Sequence, residues 1–239
     1  MKAIHWFDQA ISSGDVQGSL ELGYLYKEQY LATDCFFPKM FALQKAISYF
    51  EEVPEESSSF GTVCEELGLL YQFLAEEVEV EGAERGDYLH LAIERYRMAA
   101  DRSSITAMFK LGLMYFSIYD KKKASEPETA AAALITSLDW LERAATLGDE
   151  HSIYKLATIY ADLPDNSEDN SPTNLETAIK WYSLAASKND FRAAAALYKL
   201  YKNGPFPDSA TAEHWYQVGL GIALDEFNHG WFVRMCGLA

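Results

Sequence analysis

Any chemistry in this chain would have to come from its five histidines, its three cysteines and its Asp and Glu carboxylates, so their spacing comes first. His5, His90, His151, His214 and His229 stand far apart. None sits in HExxH spacing, none adjoins a cysteine, and no two share a helical face, so a zinc site is not expected. Cys35, Cys64 and Cys236 are odd in number and lack CxxC spacing, and they read as small buried or half-buried hydrophobes. The carboxylate pairs Glu51-Glu52, Glu55-Glu56 and Glu65-Glu66 are adjacent in sequence. Neighbours on a helix diverge by about 100°, so these pairs read as solvated faces rather than acid/base partners. There is no GxxxxGK[ST] loop, no GxGxxG after a strand and no GxSxG elbow. The residue types and spacings call for no catalytic residue, no metal and no cofactor, and the chain is expected not to be an enzyme.

Composition sets the partner class. Hydrophobic residues make up 49% and charged residues 23%, an ordinary balance for a chain that buries a sizeable core. Net charge is −16, and it is uneven: residues 1–90 hold 17 acids against 5 bases, the remainder 19 against 15. Nucleic acid and anionic membrane surfaces would repel such a chain, whereas a basic protein would be drawn toward its N-terminal half. No apolar run approaches the roughly 18 residues needed to span a bilayer, and Met1–Asp8 lacks the pattern of a signal peptide. The expected compartment is the cytoplasm.

The elements that position everything else emerge when the chain is laid against itself. A small residue, Ile or a substitute, any residue and an aromatic pair or near-pair recur six times. The pattern runs from Ala3-Ile4-His5-Trp6-Phe7 through Ala46-Ile47-Ser48-Tyr49-Phe50, Ala92-Ile93-Glu94-Arg95-Tyr96 and Ser137-Leu138-Asp139-Trp140-Leu141. It continues as Ala178-Ile179-Lys180-Trp181-Tyr182 and Ala212-Glu213-His214-Trp215-Tyr216. Seven residues after each start stands a small or apolar residue: Ala10, Val53, Ala99, Ala144, Ala185 and Gly219. Then come Leu22-Gly23, Leu67-Gly68, Leu111-Gly112, Leu156-Ala157 and Leu197-Tyr198, each with a tyrosine four residues after the leucine. That is one helical turn, so each Leu and its Tyr face the same way. The small residue after the leucine admits a neighbouring helix, and the aromatic pair fills the space between units. Breaks such as Ser12-Ser13-Gly14, Leu147-Gly148-Asp149 and Lys188-Asn189-Asp190 supply a C-cap followed by an N-cap. No alternating strand pattern competes.

This combination resembles the Sel1-like repeat family, relatives of the tetratricopeptide repeat, over nearly the whole chain. Arg95 for an aromatic residue and Leu197-Tyr198 for Leu-Gly are departures, and the paired cysteines of disulfide-stapled members are absent. The resemblance implies an all-α, right-handed α–α superhelical solenoid of about five and a half helix–turn–helix repeats. It forms a single domain over 1–239, with units beginning near 3, 46, 92, 137, 178 and 212. It also implies that the Leu-Gly-Tyr helices line a concave face.

Stretches outside the pattern fall at roughly 29–44, 76–90, 118–134, 162–176 and 203–210, always after the Leu-Gly-Tyr helix, and so along one edge of a stack. The acidic run 76–81, the polar run 164–172 and Lys121-Lys122-Lys123 read as solvated linkers. Ala130–Leu138 could carry its helix backwards by two turns.

Positions two residues either side of each leucine, and five and six after it, should face a partner. Along the concave face these include Tyr24, Leu69, Phe73, Phe109, Leu113, Phe116, Tyr154, Lys199 and Lys202. The central five form an apolar stripe where a solvated helix would be polar, the mark of a protein-binding hot spot. The alternative is that curvature, a loop or the next unit buries them. The function expected is a non-catalytic scaffold or adaptor that binds a protein, with a bacterial immunity protein neutralising a toxin as the alternative and an enzyme with an unrecognised site last. Partner identity and oligomeric state are not written in the sequence.

Overall fold

The computed structural model describes residues 2–12, 15–77, 83–164, 173–205, 207–225 and 228–237. Among them every regular element is a helix and no strand occurs. The helices are α1 (Lys2–Ser12), α2 (Val16–Leu31), α3 (Phe36–Glu51), α4 (Phe60–Glu77), α5 (Ala83–Asp101) and α6 (Ile105–Lys122). After them come α7 (Pro127–Thr146), α8 (Glu150–Asp162), α9 (Asn174–Ser187), α10 (Phe191–Asn203), α11 (Ser209–Asp225) and α12 (His229–Met235). The odd-numbered helices from α1 to α11 carry the aromatic-pair motif, and the even-numbered ones up to α10 carry Leu-Gly-Tyr. The chain divides into two compact units, Met1–Ala133 and Leu134–Ala239. In each, helices pack against their neighbours in chain order, the arrangement of an all-α solenoid.

The α1–α2, α5–α6, α7–α8 and α9–α10 turns follow one design. The alanine seven residues into the motif ends its helix by accepting, on its carbonyl, the N–H of the next helix's N-cap. Asp15 donates to Ala10 at 3.0 Å, and Ser104 to Ala99, Asp149 to Ala144 and Asp190 to Ala185 all at 3.1 Å. The residue before the cap turns left-handed: Ser103 at φ 66°, Gly148 at φ 96° and Asn189 at φ 66°. The cap side chain then accepts an N–H of the helix it opens, as Asp149 does from Ser152 at 2.7 Å and Ser104 from Ala107 at 3.1 Å. Ala99, Ala144 and Ala185 are thus constrained twice, by the turn and by a buried site.

Between units the device is a notch and a ring. A Cβ at Gly23 would stand 2.6 Å from the Phe50 ring, and one at Gly68 would stand 2.7 Å from the Tyr96 ring. In these two units the second aromatic of the pair, Phe50 or Tyr96, therefore seats on the glycine of the preceding Leu-Gly-Tyr helix, and both rings are fully buried. Where Tyr198 replaces the glycine, Tyr216 meets it ring to ring at 5.5 Å and stays half-buried. The notch reappears one helix later, with Phe232 of α12 seated on Gly219 of α11.

The stretches outside the repeat are mostly helix rather than linker. α3, α5 and α7 begin about ten residues before their aromatic-pair motif, and Pro127 opens α7 at the first helical position, where proline is favoured. Lys121 and Lys122 complete α6, where positive charge meets the negative end of the helix dipole. The remainder of the acidic run beyond Glu77 and most of the polar run, 165–172, lie outside the described residues.

Candidate protein-binding face

The five repeat leucines, Leu22, Leu67, Leu111, Leu156 and Leu197, are all buried and anchor the even-numbered helices. Within each unit these helices lie side by side. In the first, Lys27 of α2 pairs with Glu66 of α4 at 2.6 Å, Tyr30 packs on Phe73 at 5.2 Å, and the Ser104 hydroxyl at the head of α6 donates to Glu65 at 2.6 Å. In the second, the Arg192 guanidinium of α10 lies 4.4 Å from the centre of the Tyr154 ring of α8. Glu65 and Glu66, adjacent in sequence, thus turn to opposite neighbours.

The sequence-derived face residues fall on this layer, though less openly than expected. Tyr24, Leu69, Phe73, Phe109, Leu113, Phe116 and Tyr154 are half-buried, and only Lys199 and Lys202 are exposed. Leu20 and Ala195, two residues before the repeat leucine, are buried outright. A helix inside a stack has neighbours on more than one side, so its buried arc is wider than the single stripe of a surface helix. Tyr24 stands edge-on to Phe50 at 5.1 Å with Lys27 over its ring, and Tyr154 stands edge-on to Tyr182 at 5.9 Å. Burial pushes both phenols up, that of Tyr24 further through Glu66 and Glu65. Lys202 donates to the Tyr198 hydroxyl and lies over its ring.

Beside Leu113 the first unit opens into a groove of about 520 Å³, walled by α4, α5, α6 and the start of α7, with Ile93, Met114 and Ile118 among its apolar lining. Two features escaped the sequence reading. One is a patch of exposed large apolar side chains at the α2–α3 junction: Leu31, Phe36, Phe37 and Phe41, with Phe37 84% accessible. Tandem Phe36-Phe37 outside the repeat motif was the available signal. The other is the acid following the aromatic pair. Glu51 accepts from the Tyr71 hydroxyl at 2.6 Å and from Arg95 at 3.2 Å, and Glu142 accepts from Tyr160 at 3.2 Å. Arg95, which stands where an aromatic residue was expected, is part of that network. Cys64 and Cys236 are buried, their thiols pushed up by burial, whereas Cys35 is exposed, at the N-cap of α3. No group of three or more His, Cys, Asp or Glu that could hold a metal occurs among the described residues, and none of their helices is long and apolar enough to cross a membrane.

The Sel1 repeat family model matches residues 1–15, 105–117, 135–149 and 151–190, taking in the turn at Gly148, α8 from His151 onward and the whole of α9. Over those residues the chain carries Sel1 repeats, which supports a Sel1-like repeat protein. A solved Sel1 repeat protein from Oxalobacter formigenes shares the fold: 17% identity, 99% of this chain and 87% of that one covered, TM-score 0.53. More distant in structure is an immunity protein, Pa5087, from Pseudomonas aeruginosa, with 18% identity, coverage of 93% and 74%, and TM-score 0.41. So is c5321, a protective antigen of uropathogenic Escherichia coli with an SLR fold, at 15% identity, coverage of 98% and 71%, and TM-score 0.32. No curated protein matches the chain in sequence. Sel1 repeats generally mediate protein–protein interaction and are generally non-catalytic.

Proposed function

We propose that this Sel1-like repeat chain is a non-catalytic adaptor that holds a protein partner on its layer of Leu-Gly-Tyr helices. The observation that carries the reading is the row Phe109, Leu113 and Phe116 on α6, at i, i+4 and i+7, with Leu69 and Phe73 on α4. These side chains keep part of their apolar surface on the layer where a solvated helix would carry polar ones. Tyr24 would extend the row in the first unit, while Tyr154, Lys199 and Lys202 would serve the second.

The test is the double substitution Phe109→Ser, Phe116→Ser with a partner recovered by pull-down from native lysate. Loss of capture with an unchanged helical circular dichroism spectrum is expected. Capture by a folded double variant at the wild-type level would overturn the assignment.

A narrower reading is an immunity protein that neutralises a toxin by direct binding. The acid surplus favours it, since a basic toxin would be drawn to residues 1–90, with 17 acids against 5 bases. Co-expression with the product of the adjacent gene separates the two: rescue from toxicity together with a stable complex supports the antidote, and a complex without toxicity supports the adaptor.

A further inference from the structure

We infer that the groove at the α4–α5–α6 junction takes an amphipathic helix of the partner that is apolar on one face and acidic at one end. This inference rests on the protein-binding reading above and names the chemistry of the partner. The groove runs lengthwise along α6, where Leu113, Ser117 and Lys121 line it at i, i+4 and i+8, a run of about 12 Å at 1.5 Å per residue. Its apolar lining comes from Leu89 and Ile93 of α5 and from Leu113, Met114 and Ile118 of α6. At about 520 Å³ it is too small to swallow a helix and large enough for a few anchoring side chains from one. An elongated apolar cleft of two to three turns suits the i, i+3, i+4, i+7 row of a docked helix.

Charge fixes the polarity of the occupant. In a unit dominated by acids, the α6 end of the groove is lined by Lys121 and Lys122. Lys121 is exposed and has no ion-pair partner among the described residues. Lys122 holds Glu126 at 2.9 Å, an exposed i,i+4 pair that contributes little and yields readily to a better-placed carboxylate. The opposite walls carry Glu76 and His90. Carboxylates on the docked helix therefore belong over Lys121 and Lys122, and a helix with lysines in their place meets like charge there.

The probe is a fluorescein-labelled, amidated 16-residue helix with leucines at i, i+3, i+4 and i+7 and glutamates at one end, beside a twin with lysines for the glutamates. Fluorescence anisotropy with the full chain should show the glutamate peptide binding about tenfold more tightly than its twin. Lys121→Glu with Lys122→Glu should invert that preference. Ser117→Trp, at the exposed rim, should fill the groove and abolish binding of both, with the melting temperature unchanged. Equal binding of the two peptides, or indifference to Ser117→Trp in a folded variant, overturns the inference. So does dodecanoate occupying the groove in a Lys121-dependent way while neither peptide binds, which would make it a small-molecule site. If the peptides fail but Phe109→Ser, Phe116→Ser still loses its partner, the groove assignment falls and the adaptor reading stands. If that double variant keeps its partner, the adaptor reading falls by itself.

Discussion

Tyr96 of α5 rests its ring on Gly68 of α4, so closely that a Cβ on the glycine would stand 2.7 Å from Cδ1, 2.8 Å from Cε1 and 2.9 Å from Cγ. Tyr96 is fully buried, and its hydroxyl is tied to Gln72 Oε1 at 2.7 Å one turn further along α4. A flexible side chain could swing aside; this ring is held at both ends. Gly68→Ala should therefore destabilise by about 1–3 kcal/mol through overpacking, although alanine is the better helix former by about 1 kcal/mol. Gly221→Ala is the control, because a Cβ there meets nothing within 4 Å, and it should stabilise slightly. Urea midpoints of the two variants decide the matter, and equal stabilisation by both would show that the notch carries no constraint.

The turn between α5 and α6 holds Ser103 at φ 66°, where the matching residue in the next turn is Gly148. A serine in this left-handed region is strained by about 1 kcal/mol relative to glycine. Ser103→Gly should raise stability by up to about 1 kcal/mol, and Asn189→Gly by less, since asparagine tolerates the conformation better. Thermal melts would show the ranking, and a lower melting temperature for Ser103→Gly would refute it.

Glu51 serves two donors, the Tyr71 hydroxyl at 2.6 Å and Arg95 at 3.2 Å, and only the first is well buried. Glu51→Ala leaves a buried hydroxyl without its acceptor, which costs about 1–3 kcal/mol. Tyr71→Phe removes donor and need together, so the double variant should recover part of the loss. A coupling of about 0.5–1.5 kcal/mol in the cycle is expected. Strict additivity would mean the bond contributes nothing.

How far the fold could be read in advance depended on whether a residue's role repeats. Leu67, Gly68, Tyr71 and Tyr96 recur at fixed offsets in unit after unit, so their burial and the notch were legible without coordinates. Phe37 and Phe41 occur once, in the stretch 29–44 that breaks the repeat and reads as an insertion along one edge of the stack, although they lie on α3. The candidate face was harder. Offsets around the repeat leucine place Leu113 and Phe116 on the layer of even-numbered helices, but they cannot tell half-buried from exposed, because that depends on the neighbouring helix. Leu20 was misjudged for this reason. The pairing of Tyr71 with Glu51 was hidden because it spans 20 residues, even though an acid after the aromatic pair recurs at Asp8 and Glu142.

Alkaline conditions should loosen this fold through its tyrosines. Burial is the first cause that pushes up the phenols of Tyr71, Tyr96 and Tyr182, and with Glu142 beside it the phenol of Tyr160 is pushed up to about 12 from 10.0. A raised phenol keeps its proton in the folded chain while the unfolded chain has already released it. The folded state then binds more protons than the unfolded one, so stability falls as pH rises. The contribution is complete below about pH 10 and declines from there toward pH 12, the window set by the two values for Tyr160. Lysine neutralisation also acts in this range, and Tyr160→Phe separates the two, since phenylalanine has no proton to lose. Melting temperatures from pH 9 to pH 11.5 should fall less steeply for Tyr160→Phe than for the wild type, and absorbance near 295 nm should place tyrosine ionisation later in the folded chain than in urea. Parallel declines, or one ionisation curve for both states, would remove tyrosine burial as the cause.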